Sequence, residues 1–226
     1  MSHSATIDLA RRTFNALLDL FYPPCCGGCG RAGYGWWCND CDARAPWLEG
    51  EARMSTQPLG EGWPDLEVLS AARFDSPLRE AVHCFKYDGQ PQLATVFGAR
   101  MGALWAHHGR PVDVIVPVPL HPSRLRERGF NQSALLAREV SAIAGVPVCA
   151  QALRRARATQ QQARLDGREA RLANVRGAFV ATQALDNKAV LLVDDVFTTG
   201  ATLMTCAIAL YQAGASRVTA ITLARA

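Results

Sequence analysis

The amino-acid sequence predicts an α/β protein with a parallel sheet flanked by helices and a small cysteine-rich unit ahead of it. Three observations support this prediction. From residue 65 onwards, short apolar runs alternate with amphipathic stretches, as in strands joined by crossover helices. Five of the eight cysteines fall between Cys25 and Cys41. The length of 226 residues is enough for one ordinary domain and a smaller one.

Residues 1–24 are predicted to form an amphipathic helix that a Pro-Pro pair ends. Its apolar face, at helical spacing, consists of Ile7, Ala10, Phe14, Leu17, Leu18 and Phe21. Packing on the neighbouring domain explains such a face, and docking to a membrane surface or a partner is the alternative. Polar residues such as Asp8 and Arg11 interrupt any signal-peptide core, so a cytoplasmic protein is predicted.

Residues 25–48 are predicted to form a zinc ribbon. Two Cys-x-x-Cys pairs, eight residues apart, consist of Cys26, Cys29, Cys38 and Cys41. Four such thiolates describe a closed, tetrahedral, structural Zn²⁺ site. Cys25 could replace Cys26 as first ligand, but only Cys26 gives the standard two-residue gap. Disulfides, free thiols and redox chemistry are weaker alternatives, because cytosolic thiols stay reduced and no thioredoxin-like elements flank the pairs.

The polar, Gly- and Pro-rich residues 49–64 are predicted to form a linker, and residues 65–226 the main domain. Strands are expected at 112–118, 146–149, 178–181, 190–193 and 218–223, with helices at 133–144 and 202–213. Gly145 is placed where a helix C-terminal cap would be. The uncharged stretch 196–216 is long enough to span a bilayer, but its polar residues indicate a loop and a buried helix. No transmembrane segment is therefore predicted.

The stretch "VLLVDDVFTTGATL", residues 190–203, predicts a ligand site. Asp194 and Asp195 follow an apolar strand, at the edge where open α/β sheets bind ligands, and can accept hydrogen bonds from ribose hydroxyls. The turn after them leads into a helix, so backbone N–H groups, hydroxyls and the positive helix end can bind a phosphate. The residues of this phosphate loop are Thr198, Thr199, Gly200, Ala201 and Thr202. Together they predict a ribose 5-phosphate site.

Residues 190–202 resemble, without a gap, the signature of type I phosphoribosyltransferases: apolar residues, two acids, two variable positions and Thr-Gly-x-Thr. In those enzymes, the loop after the strand that corresponds to 112–118 holds the pyrophosphate of phosphoribosyl pyrophosphate (PRPP). Here that loop carries Arg124, Arg126 and Arg128, whose guanidinium forks suit pyrophosphate. Lys86 is a further candidate for a phosphate contact, and an ordinary surface lysine is the alternative.

The stretch "PVPLHPSRLRERGFNQSALLA" resembles the signature of the ComF family, as do "YPPCCGGCG", "CNDC", "HCFKYDGQ" and the arginine-rich residues 153–179. The sequence departs from the family where prolines are common, at Gln160, Gln161 and Gln162. The resemblance spans nearly the whole chain. It implies a zinc ribbon joined to a type I phosphoribosyltransferase-like domain, and a role in DNA uptake during natural transformation.

The resemblance also implies roles for individual residues. Asp194 and Asp195 would orient the ribose, while Mg²⁺, held mainly by PRPP oxygens, and the loop arginines would neutralise the departing pyrophosphate. The basic residues 153–176 would close over the site as a hood. Thr198 stands where 6-oxopurine transferases carry an aspartate, which disfavours hypoxanthine and guanine as acceptors.

The alternative function is a non-catalytic protein that binds single-stranded DNA or DNA-uptake proteins. A groove that accepts pyrophosphate also attracts a nucleic-acid backbone, and the basic segment would contribute to it. Tyr34, Trp36 and Trp37 could stack on bases, although packing in a small core is the more common use of such residues. The net charge of +4 is too small to decide between the two functions.

Overall fold

The computed structural model describes residues 23–156 and 178–226. The helices are α1 (Asn39–Arg44), α2 (Leu78–Tyr87), α3 (Leu93–His108), α4 (Pro122–Arg128), α5 (Gln132–Ala144) and α6 (Ala201–Gln212), and a 3-10 turn spans Gly50–Arg53. The strands are β1 (Met54–Gln57), β2 (Leu66–Arg73), β3 (Val114–Pro117), β4 (Leu153–Arg155), β5 (Phe179–Ala181), β6 (Ala189–Phe197) and β7 (Arg217–Arg225). The predicted N-terminal helix, up to residue 22, and most of the predicted hood, from residue 157 on, lie outside the described residues.

Five strands form the main sheet in the order β1-β2-β7-β6-β3. All neighbours run parallel except β1 and β2, which are antiparallel. β6 lies between β7 and β3, and its residues 190–193 are fully buried. A strand covered on both faces needs an uninterrupted apolar run, which explains why this segment lacks the alternation of a half-exposed strand.

Helices cover both faces of this sheet. Val190 and Leu192 of β6 share a core with α6, whereas Leu191 and Val193 pack against α2, α3 and α5. Successive side chains of a strand point to opposite faces, so one apolar run supplies both cores. The predicted α/β class, a parallel sheet flanked by helices, is therefore confirmed.

Two predicted strands have partners that the sequence does not reveal. Residues 146–149 form only one parallel bridge, between Val148 and Ile115 of β3; Pro147 has no N–H to donate and so limits the ladder. The predicted strand at 178–181 is β5, which pairs antiparallel with β4 in a separate two-stranded sheet. Local pattern identifies extended backbone, but the pairing depends on tertiary contacts.

The segment predicted as a linker, residues 49–64, contains the 3-10 turn and the edge strand β1. Because β1 pairs only with β2, on one side, it needs no apolar run. The chain just before it is also bonded to β2, through Leu48 N–H to the Ala71 carbonyl and Arg73 N–H to the Pro46 carbonyl, both at 2.9 Å. Residues 50–57 are therefore regular structure rather than linker.

Candidate functional site

Asp194 and Asp195 lie near the end of β6, beyond the point where β3 has ended. β3 pairs with β6 only as far as Pro117 opposite Val193, whereas β7 continues beside β6 to Phe197. β6 therefore continues past the acid pair, whereas the predicted strand ended at residue 193. The backbone hydrogen bonds to β7 do not require apolar side chains, so the strand can include two aspartates. The carboxylates lie at a step in the carboxyl edge of the sheet, where α/β folds bind ligands.

The two carboxylates have different partners. Asp195 is buried and pairs with Lys86 in the last turn of α2, with 2.9 Å between Oδ1 and Nζ. Asp194 Oδ1 accepts hydrogen bonds from the Ser133 hydroxyl of α5 and from the Asp195 N–H, both at 2.9 Å. The structure thus places Lys86 against an acid rather than at the phosphate loop. A ligand phosphate would have to draw Lys86 away from Asp195.

Burial and the neighbouring Asp195 raise the pKa of Asp194 to about 7. A carboxylate removed from water, beside a second negative charge, favours its neutral form. The hydrogen bonds from the Asp195 N–H and Ser133 act in the opposite direction, as does the charge of Lys86. A cationic or hydroxyl-rich ligand would therefore favour the ionised form of Asp194.

This raised pKa makes the stability of the protein depend on pH. The folded state keeps a proton on Asp194 that the unfolded state loses near pH 4, so the contribution to the free energy of unfolding falls from pH 4 to about pH 7. We expect Asp194→Asn to stabilise the protein more at pH 8 than at pH 6, by roughly 1 kcal/mol. Urea unfolding of zinc-loaded protein at both pH values measures this difference. Asp186→Asn, at a position of positive φ before β6, is the control, and an equal effect of Asp194→Asn at both pH values would contradict the prediction.

The predicted phosphate loop follows β6 directly and leads into α6. Thr198 and Thr199 are exposed, while Ala201 and Thr202 form the first turn of the helix. Gly200 is buried at the N-cap position with φ of 77°, and a Cβ there would lie 2.8 Å from the Phe197 ring. Glycine is thus required on both conformational and steric grounds. No side chain caps this helix end, so its first N–H groups are not used by a capping residue.

The three arginines lie on α4, not in the loop that the sequence predicted. The His121 side chain accepts a hydrogen bond from the Ser123 N–H, Pro122 is at the first helical position, and Gly129 ends the helix with φ of 77°. Pro at the start and Gly just past the end form a recognisable signal for a short helix. Arg124 and Arg128 are half-buried and four residues apart, on one face, whereas Arg126 is exposed.

The four predicted metal ligands come together. The Sγ atoms of Cys26, Cys29, Cys38 and Cys41 all lie within 4.8 Å of one another, and 3.7 Å separates those of Cys29 and Cys38. A tetrahedral zinc–thiolate site requires sulfur–sulfur distances of about 3.8 Å. The Cys38 N–H also donates to the Cys26 sulfur at 3.3 Å, so the donor set fits structural Zn²⁺. Cys25 lies outside the cluster, against the Pro23 carbonyl at 3.6 Å, so of the two candidates for the first ligand it is Cys26 that lies with the other three sulfurs.

The cysteine-rich unit packs closely on the main domain. The Trp37 ring meets Phe97 of α3 edge-on at 5.5 Å, and its indole N–H donates to Asp42, which also pairs with Arg100 of α3. Trp36 is also packed against this core. Of the three aromatic residues considered for base stacking, only Tyr34 is largely exposed, at 65%.

Two known bacterial proteins align with most of the length of this chain. The DNA utilization protein YhgH of Escherichia coli K12 is 32% identical over 161 residues, which cover 69% of this chain and 70% of that protein. Competence protein F of Haemophilus influenzae is 27% identical over 213 residues, covering 90% of this chain and 85% of that protein. The chain belongs to the ComF family. A scan against family models gives no match.

Solved structures similar to this ComF family chain include an amidotransferase and a phosphoribosyl transferase. Glutamine phosphoribosylpyrophosphate amidotransferase from B. subtilis is 21% identical, with a TM-score of 0.42 over 61% of this chain and 30% of that one. Adenine phosphoribosyl transferase from Trypanosoma brucei is 14% identical, with a TM-score of 0.41 over 76% and 87%. Both TM-scores are below 0.5, so a phosphate-binding role depends on the site residues themselves.

Several site residues of this ComF family chain were not identified from its sequence. Ser133, Gln132 and Tyr87 all lie within stretches that carry the family resemblance, yet nothing local shows which atoms they contact. Arg155 of β4 is half-buried, and burial and the nearby Arg124 lower its pKa, while Asp194 opposes that shift.

Among the described residues, no helix has the length and apolar character to cross a bilayer.

Proposed function

We propose that this ComF family protein binds PRPP with Mg²⁺ at the carboxyl edge of its sheet, as a phosphoribosyltransferase-type site. The observation that best supports this proposal is the position of Asp194 and Asp195, two residues before a Thr-Thr-Gly turn and the uncapped start of α6. Carboxylates that accept from ribose hydroxyls and N–H groups that donate to a 5-phosphate are then one turn of chain apart. A surface helix with two incidental acids would not require one acid to be buried and the other half-buried.

The residues around the site have complementary tasks in this proposal. Asp194 and Asp195 would orient the ribose and face the positive charge that develops on its ring as pyrophosphate leaves. Thr198, Thr199 and Thr202, with the N–H groups of Gly200 and Ala201, would hold the 5-phosphate. Mg²⁺, when bound with PRPP, supplies charge neutralisation to the departing group.

The cationic residues would act on the pyrophosphate. Arg124 and Arg128 share one face of α4 and would bind its oxygens, with Arg126 further out. Lys86 would exchange Asp195 for a phosphate oxygen when the ligand enters, which releases Asp195 for the ribose. We propose that the acceptor is not a 6-oxopurine, because Thr198 offers no carboxylate to accept a base proton.

The names of the relatives indicate the cellular process in which this protein acts. Their names refer to competence and to DNA utilization, and we propose that this chain serves the uptake or use of DNA in the cytoplasm, where four thiolates remain available for zinc. A phosphoribosyl site in such a protein would act on a nucleotide, a base or another nitrogen nucleophile.

Calorimetric titration of zinc-loaded, full-length protein with PRPP and Mg²⁺ tests the proposal. Saturable binding at one site per chain is the expected result, with weaker binding of ribose 5-phosphate and of pyrophosphate, each of which fills part of the site. Absence of binding for all three ligands would refute the proposed function.

A second candidate is a non-catalytic protein that binds single-stranded DNA. The exposed Arg126 and Arg154 favour it, since both can reach a phosphate backbone, whereas the packing of Trp36 and Trp37 removes two of the proposed stacking residues. Oligonucleotide binding should then weaken steeply with salt and fall in Arg126→Gln/Arg154→Gln. Affinity that is unchanged in this variant would argue against the candidate.

A further inference from the structure

Tyr87 is an exposed aromatic residue with an unusually complete set of contacts. It is the last residue of α2 and 56% of it is exposed. Its hydroxyl accepts a hydrogen bond from Arg128 Nη2 at 3.1 Å, and the Arg128 guanidinium carbon lies 4.7 Å from its ring centroid. The His83 ring, one turn earlier, is 4.9 Å from the Tyr87 ring. The hydroxyl and the ring of Tyr87 are therefore both held by neighbouring side chains.

The same guanidinium has a third neutral contact. Arg128 Nη1 donates to Gln132 Oε1 at 3.1 Å, and Gln132 is fully buried at the start of α5. Two hydrogen bonds and a ring contact therefore fix the orientation of Arg128. Neither partner residue, Tyr87 or Gln132, carries a negative charge.

The neutral contacts of Arg128 differ from those of four other arginines, although Arg53 and Arg217 also bond to neutral groups. Arg31, Arg79, Arg100 and Arg110 each pair with a carboxylate. Among residues 23–156 and 178–226, no carboxylate lies within ion-pair distance of Arg128. Its orientation is thus fixed by neutral partners, and no described carboxylate pairs with its positive charge, which suits a contact with an anion.

Two buried N–H donors lie beside this contact. Arg128 Nε and Gln132 Nε2 are both buried, and neither has a hydrogen-bond partner within the described part of the chain. Burying N–H donors without an acceptor is costly. Phosphate oxygens that approach Arg128 would offset this cost.

The adjacent residue of α2 connects this cluster to the acid pair. Lys86 contacts Asp195, and Tyr87 contacts Arg128. One helical turn thus reaches both the proposed ribose-binding acids and a proposed pyrophosphate-binding arginine. Movement of this turn would disturb both halves of the site together.

We propose that Tyr87 is a positioning residue that orients Arg128 for the pyrophosphate group of the ligand, with Gln132 as its buried second support. This inference rests on the proposed PRPP site, and it assigns the two halves of the ligand to different groups of residues. The Arg128, Tyr87 and Gln132 cluster serves pyrophosphate, while the acid pair and the phosphate loop serve ribose 5-phosphate.

Separate titrations with Mg²⁺-pyrophosphate and with ribose 5-phosphate test this division in zinc-loaded, full-length protein. Tyr87→Phe keeps the ring and should weaken pyrophosphate binding about 3-fold, whereas Tyr87→Leu removes ring and hydroxyl and should weaken it about 10-fold or more. Arg128→Gln should weaken it at least as much as Tyr87→Leu. The double variant Tyr87→Leu/Arg128→Gln should bind no more weakly than Arg128→Gln alone, because Tyr87 acts through Arg128.

Ribose 5-phosphate binding should stay within about 2-fold of wild type in all these variants, because the cluster contacts only the pyrophosphate in this proposal. A loss that is specific to one ligand also excludes general unfolding as its cause. The control is Tyr34→Leu. Tyr34 is also exposed and lies against an arginine, but that arginine, Arg31, is paired with Asp40. Both affinities should be unchanged by it.

Three results would overturn the inference while leaving the proposed function intact: unchanged pyrophosphate binding in Tyr87→Leu, equal losses for both ligands, or losses that multiply in the double variant. Wild-type protein that binds ribose 5-phosphate but not pyrophosphate would also overturn the inference alone. Wild-type protein that binds none of PRPP, ribose 5-phosphate and pyrophosphate would refute the proposed function and the inference with it.

Discussion

Replacing both site acids, as Asp194→Asn/Asp195→Asn, should weaken PRPP binding in the presence of Mg²⁺ on the order of 100-fold or more. Each amide keeps an acceptor oxygen but loses the charge that strengthens hydrogen bonds from ribose hydroxyls. The substitution also leaves Lys86 without its acid partner, so its charge would become available to the ligand phosphate. Any compensation from Lys86 should remain small beside the loss of two charged acceptors.

Calorimetry on zinc-loaded wild type and variant measures this effect, with circular dichroism to establish that the variant is folded. Asp186→Asn is the matched control, since Asp186 lies before the opposite end of β6 and already has the positive φ that asparagine accepts. Wild-type affinity for PRPP in the double variant would show that the acid pair does not hold the ribose.

The second large effect is expected at the cysteine cluster. Cys26→Ser should lose zinc and lower the free energy of unfolding by at least about 3 kcal/mol, because a structural zinc site contributes its binding free energy to folding. The loss should extend beyond the ribbon. Trp37 packs on Phe97, and residues 46–48 are bonded to β2, so the metal site supports the contact between ribbon and sheet.

Cys25→Ser is the adjacent control, since Cys25 lies outside the four-sulfur cluster. It should retain one zinc per chain and differ from wild type by less than about 0.5 kcal/mol. Metal analysis combined with thermal unfolding distinguishes the two variants. Full zinc content in Cys26→Ser, or wild-type protein without stoichiometric zinc, would contradict the assignment of the ligands.

Much of the candidate site could be predicted because its parts are local. The acid pair and the predicted phosphate loop are only two residues apart in sequence, so a strand, a turn and a helix start are enough to place them at the same edge of the sheet. The cysteine pairs are local in the same sense, because each two-residue gap fits one turn around a metal. The helical arginines could also have been predicted from Pro122 and Gly129.

The rest depended on contacts between distant parts of the chain. Lys86 meets Asp195, Ser133 meets Asp194, and Tyr87 meets Arg128, across separations of 109, 61 and 41 residues. Sequence periodicity gives the face of an element but not the partner of that face.

The sequence by itself determined the α/β class, the spacing of the two Cys-x-x-Cys pairs and the acid pair that precedes a Thr-Thr-Gly turn. Only the tertiary structure decided that β6 continues past the acids, that Cys26 rather than Cys25 joins the cluster, and that neutral partners fix Arg128. The physical reason is the range of the interactions. Backbone geometry and chelation act over a few residues, whereas strand pairing, burial and ion pairing depend on which distant surfaces the packed fold brings into contact.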